Sequence, residues 1–551
     1  MSYGFDLGAW TRTVSTQSAV AQRWFDRGLN WTYAYNHEEA VVCFEQAADA
    51  DPGCAMAWWG IAYAAGPFYN RPWLRHSDAE IAEVLPKCHA AIERAGALTA
   101  TAEPRERALI QALALRYQNA QTRDLATLNH WHAAYADEMR EVYRTFPDDP
   151  DIAALYIEAA VTCTPRQLWD LKTGHVKAGS RTDEVLPVLE HWMERIETDG
   201  PVHPGIAHMC IHALEMSPLP ENALKAADML VGLAPDAGHL EHMAAHVYVL
   251  CGDYAQAVAQ SERAVRADDR YLDHAGDQNF YTTARCHDLH LFMYSAMFLG
   301  QYRKAMYAAD RICDMARPEL ISASAPFMAS ILDGYAAMRV HVLVRFGRWD
   351  ALIATPAPGA PDLRPIGVAM HAYGQGVAHA ALGNIEEAAR SAEHLLTAKS
   401  NIPDDAIFLS NTVHDMLGVA EAMLEGELQY RKRNYECAFD WLRQAVARDD
   451  SLNFTEPWAW MHPPRHALGA LLAEQGRYSE AETVFRADLG LTDDLARPCQ
   501  HPGNIWALHG LASCLSASGD HASTAFVAKS LCIAAARADV PISSACFCSG
   551  G

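Results

Sequence analysis

Small and apolar side chains recur three and four residues apart through most of this chain, and short polar turns interrupt them. That period belongs to helices that bury one face. In the segment WFDRGLNWTYAYNHEEAVVCFEQAADADP, the marked positions are Gly28, Trp31, Ala40, Phe44, Ala47 and Pro52. Their spacing predicts two helices. The small residues let the helices approach closely, the aromatic rings fill the gap, and the proline ends the second helix.

The same register returns along the chain. Ala223, Ala227, Leu230 and Pro235 repeat the second-helix pattern, and Ala257, Ala305 and Ala388 each follow a polar glycine turn. Gly469, Ala481 and Phe485 form another pair, and Trp506, Gly510, Ala522 and Phe526 the last. Ala223 and Ala257 lie 34 residues apart, one period; Ala257 and Ala305 lie 48 apart, one period plus 14. The surplus falls in DDRYLDHAGDQNFYTTA, which reads as a loop inserted between helix pairs. The expected fold is all-α, a superhelix of antiparallel helix pairs. It is read as one domain over 1–551, with N-terminal repeats at 1–150, histidine-rich repeats at 151–310, further repeats at 311–540 and a cysteine-containing tail at 541–551.

Composition narrows the picture. Half the residues are hydrophobic, which suits helices packed on helices. A formal charge of -24 argues against nucleic acid or an anionic membrane surface as partner. No basic region followed by an apolar core opens the chain, and no run of about 18 consecutive apolar residues appears. Fourteen cysteines without framework spacing read as reduced thiols, so a cytoplasmic location is expected. Most of them, such as Cys43 and Cys313, sit in apolar helical contexts and read as core.

The candidate chemistry lies between His203 and His290, where nine histidines fall within 88 residues. In HPGIAHMCIHALE, His208, His212 and Glu215 step by four and three, one stripe of one helix. In GHLEHMAAHVY, His239, His242 and His246 step likewise, and His287 and His290 are three apart. His208 to His242 and His212 to His246 are both 34 residues, and His290 follows His242 by the 48-residue step. Three first helices therefore present imidazole at equivalent positions, expected to face the concave groove rather than the core. Imidazoles from adjacent helices can share an ion at about 2.0–2.1 Å from each nitrogen. The expected ligands are His208, His212, His242, His246, His287 and His290, with Glu215 as ligand or general base. Glu241 precedes His242, so no HExxH motif is formed.

Secondary candidates are His239, His37 at a second-helix start, and Glu158, a carboxylate within an apolar helix that needs a partner or a metal. His462, Arg465 and His466 stand at a helix start where an anionic group can dock. His371 and His379 have no second helix in register. Cys546 and Cys548 suit a soft metal or a redox pair, in a tail able to fold back. P-loop, GxGxxG and nucleophile-elbow motifs are absent.

The first helix pair carries the tetratricopeptide signature. The whole chain resembles a group of bacterial and fungal tetratricopeptide-domain proteins. The residues concerned are Tyr35-Asn36-His37-Glu38-Glu39-Ala40, Ala57-Trp58-Trp59-Gly60, His203-Pro204-Gly205, Ile211-His212-Ala213 with Glu215, Gly238-His239 with His242-Met243 and His246, then His287 and His290, Leu468-Gly469-Ala470 and the Cys-Phe-Cys tail. The resemblance implies a fold and not an activity. Where the group has a tyrosine-rich stretch before Ile211, this chain has Met209 and Cys210; it likewise has Arg285-Cys286 before His287.

From the residues, the leading expectation is a metalloenzyme acting on a small molecule or peptide in the groove. A histidine-dominated site suits copper or iron, which points to an oxidoreductase; zinc is the third candidate, and one or two ions fit. The alternatives are a scaffold that grips a partner segment, or a zinc-dependent hydrolase. A homo-oligomer is compatible with either.

Overall fold

The computed structural model describes residues 3–198 and 200–548. Antiparallel helix pairs joined by short turns account for most of them, and the described strands are one ribbon, Ile407–Phe408 against Asn411–Thr412. The last three residues of the expected 541–551 tail lie outside the described part.

Local chemistry sets the helix starts. Ser18 accepts a hydrogen bond from the Ala21 amide, Asn36 from that of Glu39 and Asp149 from that of Ile152. Each satisfies an amide that has no partner within its helix. Packing follows the register. Phe44 is fully buried between Gly28 and Gly60, and a Cβ on either glycine would come within 2.7 Å of its ring. Phe485 repeats the arrangement between Gly469 and Gly510. Glycine is needed at these four positions because the ring occupies the space of a methyl group.

The described residues form two compact units. The first takes in the chain up to Val247 together with Arg263–Tyr281; the second takes in Tyr248–Glu262 together with the chain from Thr282 onward. In the first, a strap before the Ala19–Tyr33 helix is clamped to the Pro150–Val161 helix. Arg12 pairs with Asp149 at 2.8 Å and Asp151 at 3.0 Å, and the Trp10 indole donates to Asp151 at 3.0 Å. In the second, the Pro365–Ala381 and Ile385–Ser400 helices pack as one pair, and Pro464–Glu474 with Tyr478–Asp488 as another.

Two expectations are corrected. The segment DDRYLDHAGDQNFYTTA is mostly helix, because Tyr254–Ala275 runs on for 22 residues and only the stretch after Ala275 turns. Tyr271 supplies the reason: it is buried, with its ring 4.9 Å from Tyr281 and 5.8 Å from Trp31. At the other end, Ala522 and Phe526 are exposed on the helix His521–Ala535, Phe526 to 75%. Beyond Ala535 the described chain has no further helix to cover them. Pro326–Arg345 is long and apolar enough to cross a membrane by length and composition, but it is mostly buried within the protein.

Candidate functional site

In the first unit, the helix Pro204–Leu214 and the helix Gly238–Leu250 as far as Val247 bring five imidazoles together. His203 starts the former, its Nδ1 accepting from the Ile206 amide while its Nε2 donates to Asp151 at 3.1 Å. One turn on, His208 Nδ1 donates to the Tyr33 carbonyl at 2.7 Å, and His212 Nδ1 donates to Glu215 Oε1 at 2.8 Å. The other oxygen of Glu215 accepts from His246 Nδ1 at 2.7 Å. His246 Nε2 faces His242 Nε2 at 2.7 Å, and His239 Nε2 lies 3.5 Å from the Asn70 amide.

These bonds fix tautomers. A neutral ring that donates through Nδ1 keeps only a lone pair on Nε2. His208 and His212 are in that state, and their Nε2 atoms are buried without a hydrogen-bond partner. With His239 they offer nitrogens within 4.8 Å of one another. A shared ion takes imidazole nitrogens at about 2.0–2.1 Å each. Burial holds both rings neutral, pushing their pKa values well below the ordinary range, and neighbouring imidazoles push the same way.

The cluster does not line an open groove. His208 and His242 are fully buried, and His212, His239, His246 and Glu215 are exposed by at most 2%. Tyr35 supplies much of the cover. It turns the chain between two helices with φ of 56°, a left-handed conformation that a bulky residue seldom adopts. Its ring lies 4.4 Å from His208 and parallel to His212 and His239, at 6.0 and 5.6 Å. Tyr69 closes the far side, 4.7 Å from His212. Tyr69, Asn70 and Arg166, whose guanidinium donates to the Asn70 side-chain oxygen at 2.8 Å, carry no sequence signal, because their contacts join segments nearly a hundred residues or more apart. Tyr35 shows only as a residue of the turn before His37.

Several expected roles change. Glu215 is engaged at both oxygens, one by His212 and the other by His246, and so orients two rings. Glu158 finds protein partners, accepting from Tyr63 Oη, the Tyr69 amide and Thr162 Oγ1 at 2.9–3.0 Å. Through the Tyr69 amide it fixes that side of the cover. His37 is a core histidine: it donates to the Ala64 carbonyl at 3.1 Å, stacks on Phe68 at 4.0 Å, and burial lowers its pKa to about 3. A cavity of about 20 Å³, room for about one water, lies among His37, Glu158 and His208.

His287 and His290 belong to the second unit. There His290 is fully buried, its ring 5.1 Å from Tyr335. Arg465 pairs with Asp450, His466 Nε2 donates to Asp488 at 2.8 Å, and His371 donates to the Thr355 carbonyl at 3.0 Å. His379 Nδ1 lies 3.5 Å from the Asn384 side-chain amide. The tail folds back, and Cys546 and Cys548 are both buried, joined to each other as a disulfide. Burial and sulfur pairing withdraw them as soft-metal ligands in this state.

The Tetratricopeptide repeat family profile matches residues 369–394 and 462–487, two helix pairs of the second unit. No curated protein matches the chain. Among solved structures, a human IFIT1 dimer with m7Gppp-AAAA is similar at 11% identity and a TM-score of 0.32, over 94% of this chain and 91% of that one. Yeast Tom70 has the same identity and TM-score, over 92% of this chain and 98% of that one. The chain carries tetratricopeptide repeats, and its fold is all-α, built of antiparallel helix pairs. The expectation of a small-molecule substrate held at the imidazoles of an open groove is corrected. The rings that were to hold it are closed to solvent.

Proposed function

We propose that this protein is a metal-binding repeat scaffold, which grips a segment of a partner protein and holds a transition-metal ion in its first unit. One observation carries the metal: the Nε2 lone pairs of His208 and His212, buried and without partners, beside His239. A cation satisfies both at once, and protonation is opposed by burial. Imidazole donors suit copper, iron or zinc over magnesium or calcium. Tyr33 and Glu215 hold the far sides of the two rings, as outer partners of metal-binding histidines do. Oxidation or hydrolysis at this ion stays outside the proposal, because the closed rings leave a substrate no path.

The partner reading is supported by an open cleft of about 610 Å³ in the first unit, lined by Trp10 and Trp192 with Asp148, Glu194 and Arg195. Tryptophan flanked by charge is a common anchor in protein interfaces. Elemental analysis of untagged protein tests the metal. About one equivalent of copper, iron or zinc is expected per chain, and His208→Gln with His212→Gln should lose it while helicity is kept. Wild-type protein that arrives metal-free and takes up none of the three ions sinks the metal reading. Trp192→Ala should weaken cross-linking of a partner segment to the cleft; unchanged cross-linking sinks the scaffold reading at that place.

A further inference from the structure

The second unit buries nitrogen groups of its own. His341 and Arg345 come from the short helix Arg339–Arg345 and Tyr373 from Pro365–Ala381; Trp460 and His462 stand just before Pro464–Glu474. All five are exposed by 3% or less. The His341 ring meets Trp460 at 4.4 Å, and Tyr373 meets Trp460 at 5.2 Å. The charge of Arg345 is felt at His462 and Tyr373, and His462 in turn interacts with His341.

Partners are scarce here. Arg345 Nη1 donates to His466 Nδ1 at 2.9 Å, and its guanidinium lies 4.4 Å over the Trp506 ring. The carboxylate whose charge reaches it, Asp488, is occupied by His466 Nε2, His501 Nδ1 and the Asn504 amide. Arg345 Nε and Nη2, Trp460 Nε1, Tyr373 Oη and both ring nitrogens of His341 and His462 have no partner. A guanidinium and an indole can only donate, so a neighbouring donor cannot relieve them. A buried cation without an anion of its own is the costliest case.

The C-terminal tail roofs the group. The Ala545 carbonyl lies 3.5 Å from Arg345 Nη1, Phe547 packs on Gly347 and meets Trp506 at 5.9 Å, and Arg431 donates to the Cys548 carbonyl. We propose that the second unit encloses a bound oxyanion, a carboxylate or phosphate group held by Arg345, Trp460 and His462 beneath the tail. Such a group supplies several acceptor oxygens and the missing negative charge together. It is a resident ligand of the fold.

The test uses the full chain. Desalted protein is denatured and released anions are measured by ion chromatography; refolded or anion-free protein is then titrated calorimetrically with inorganic phosphate and, separately, with acetate. Release of about one equivalent, or saturable binding of one probe, is expected, and the probe that binds identifies the source. Arg345→Met should abolish binding. Trp460→Phe, which removes one donor and keeps the ring, should weaken it by about tenfold with the helical signal unchanged. No released anion together with no saturable binding of either probe overturns the proposal, as does full affinity in Trp460→Phe and Arg345→Met alike.

Discussion

The two units each bury a cluster of imidazoles, and the clusters ask for opposite charges. In the first unit, His208 and His212 each have an acceptor behind them, the Tyr33 carbonyl and Glu215, so the lone pairs point inward. In the second, His341 and His462 have no acceptor behind them and share their surroundings with a guanidinium. The first arrangement leaves electron pairs open to the proposed cation; the second offers N–H groups to the proposed anion. What lies on the far side of the ring decides which, and a count of histidines cannot.

Acid should produce the largest effect, and it should strike both units. Burial lowers His37, His76 and His132 in the first unit, and His290 and His341 in the second, to about 3. Unfolded histidine titrates near 6.5, so these groups leave stability intact above that pH. Below it the unfolded chain takes up protons that the folded chain refuses. Each group then costs about 1.4 kcal/mol per pH unit until the folded value near 3 is reached. Denaturant midpoints measured from pH 7 to pH 4 should fall steeply, and a flat profile over that range would break the picture of neutral buried rings in both units.

Chelation separates the units. Stripping an ion held at a thousandfold over its dissociation constant should remove about 4 kcal/mol. Hydrogen exchange should loosen at the Pro204–Leu214 and Gly238–Leu250 helices and leave Pro464–Glu474 unchanged; equal loosening would mean that the ion is not confined to the first cluster. Glu215→Gln sharpens the comparison further. It keeps the shape but weakens the bonds behind His212 and His246, so metal affinity should drop by about 10- to 100-fold with unfolding midpoints little changed. An unaltered affinity would remove Glu215 from the orienting role. The smallest effect is expected at Phe526→Ser, on an exposed face, where stability should move by less than about 0.5 kcal/mol. A large loss there would show that the face is covered in solution.

Much of this was legible in the residue pattern. Glycines and phenylalanines at fixed intervals specify helix pairs, because a ring that fills a methyl-sized gap leaves a mark at three positions: Gly28, Phe44 and Gly60, or Gly469, Phe485 and Gly510. The convergence of His208, His212, His242 and His246 followed from the same period. The inserted segment misled because surplus residues can lengthen a helix as easily as a loop, and Tyr271 packing decided between them.

The chain alone thus determined which residues form helices and which imidazoles share a stripe, since both depend on spacing within a few turns. Tertiary structure decided that the stripe is buried, that Tyr35 and Tyr69 close it, that Glu215 serves two rings, and that Arg345 lies under the tail. Those contacts join segments far apart in sequence. Periodicity gives the direction of a side chain around its own helix; what it meets there is set by another part of the chain.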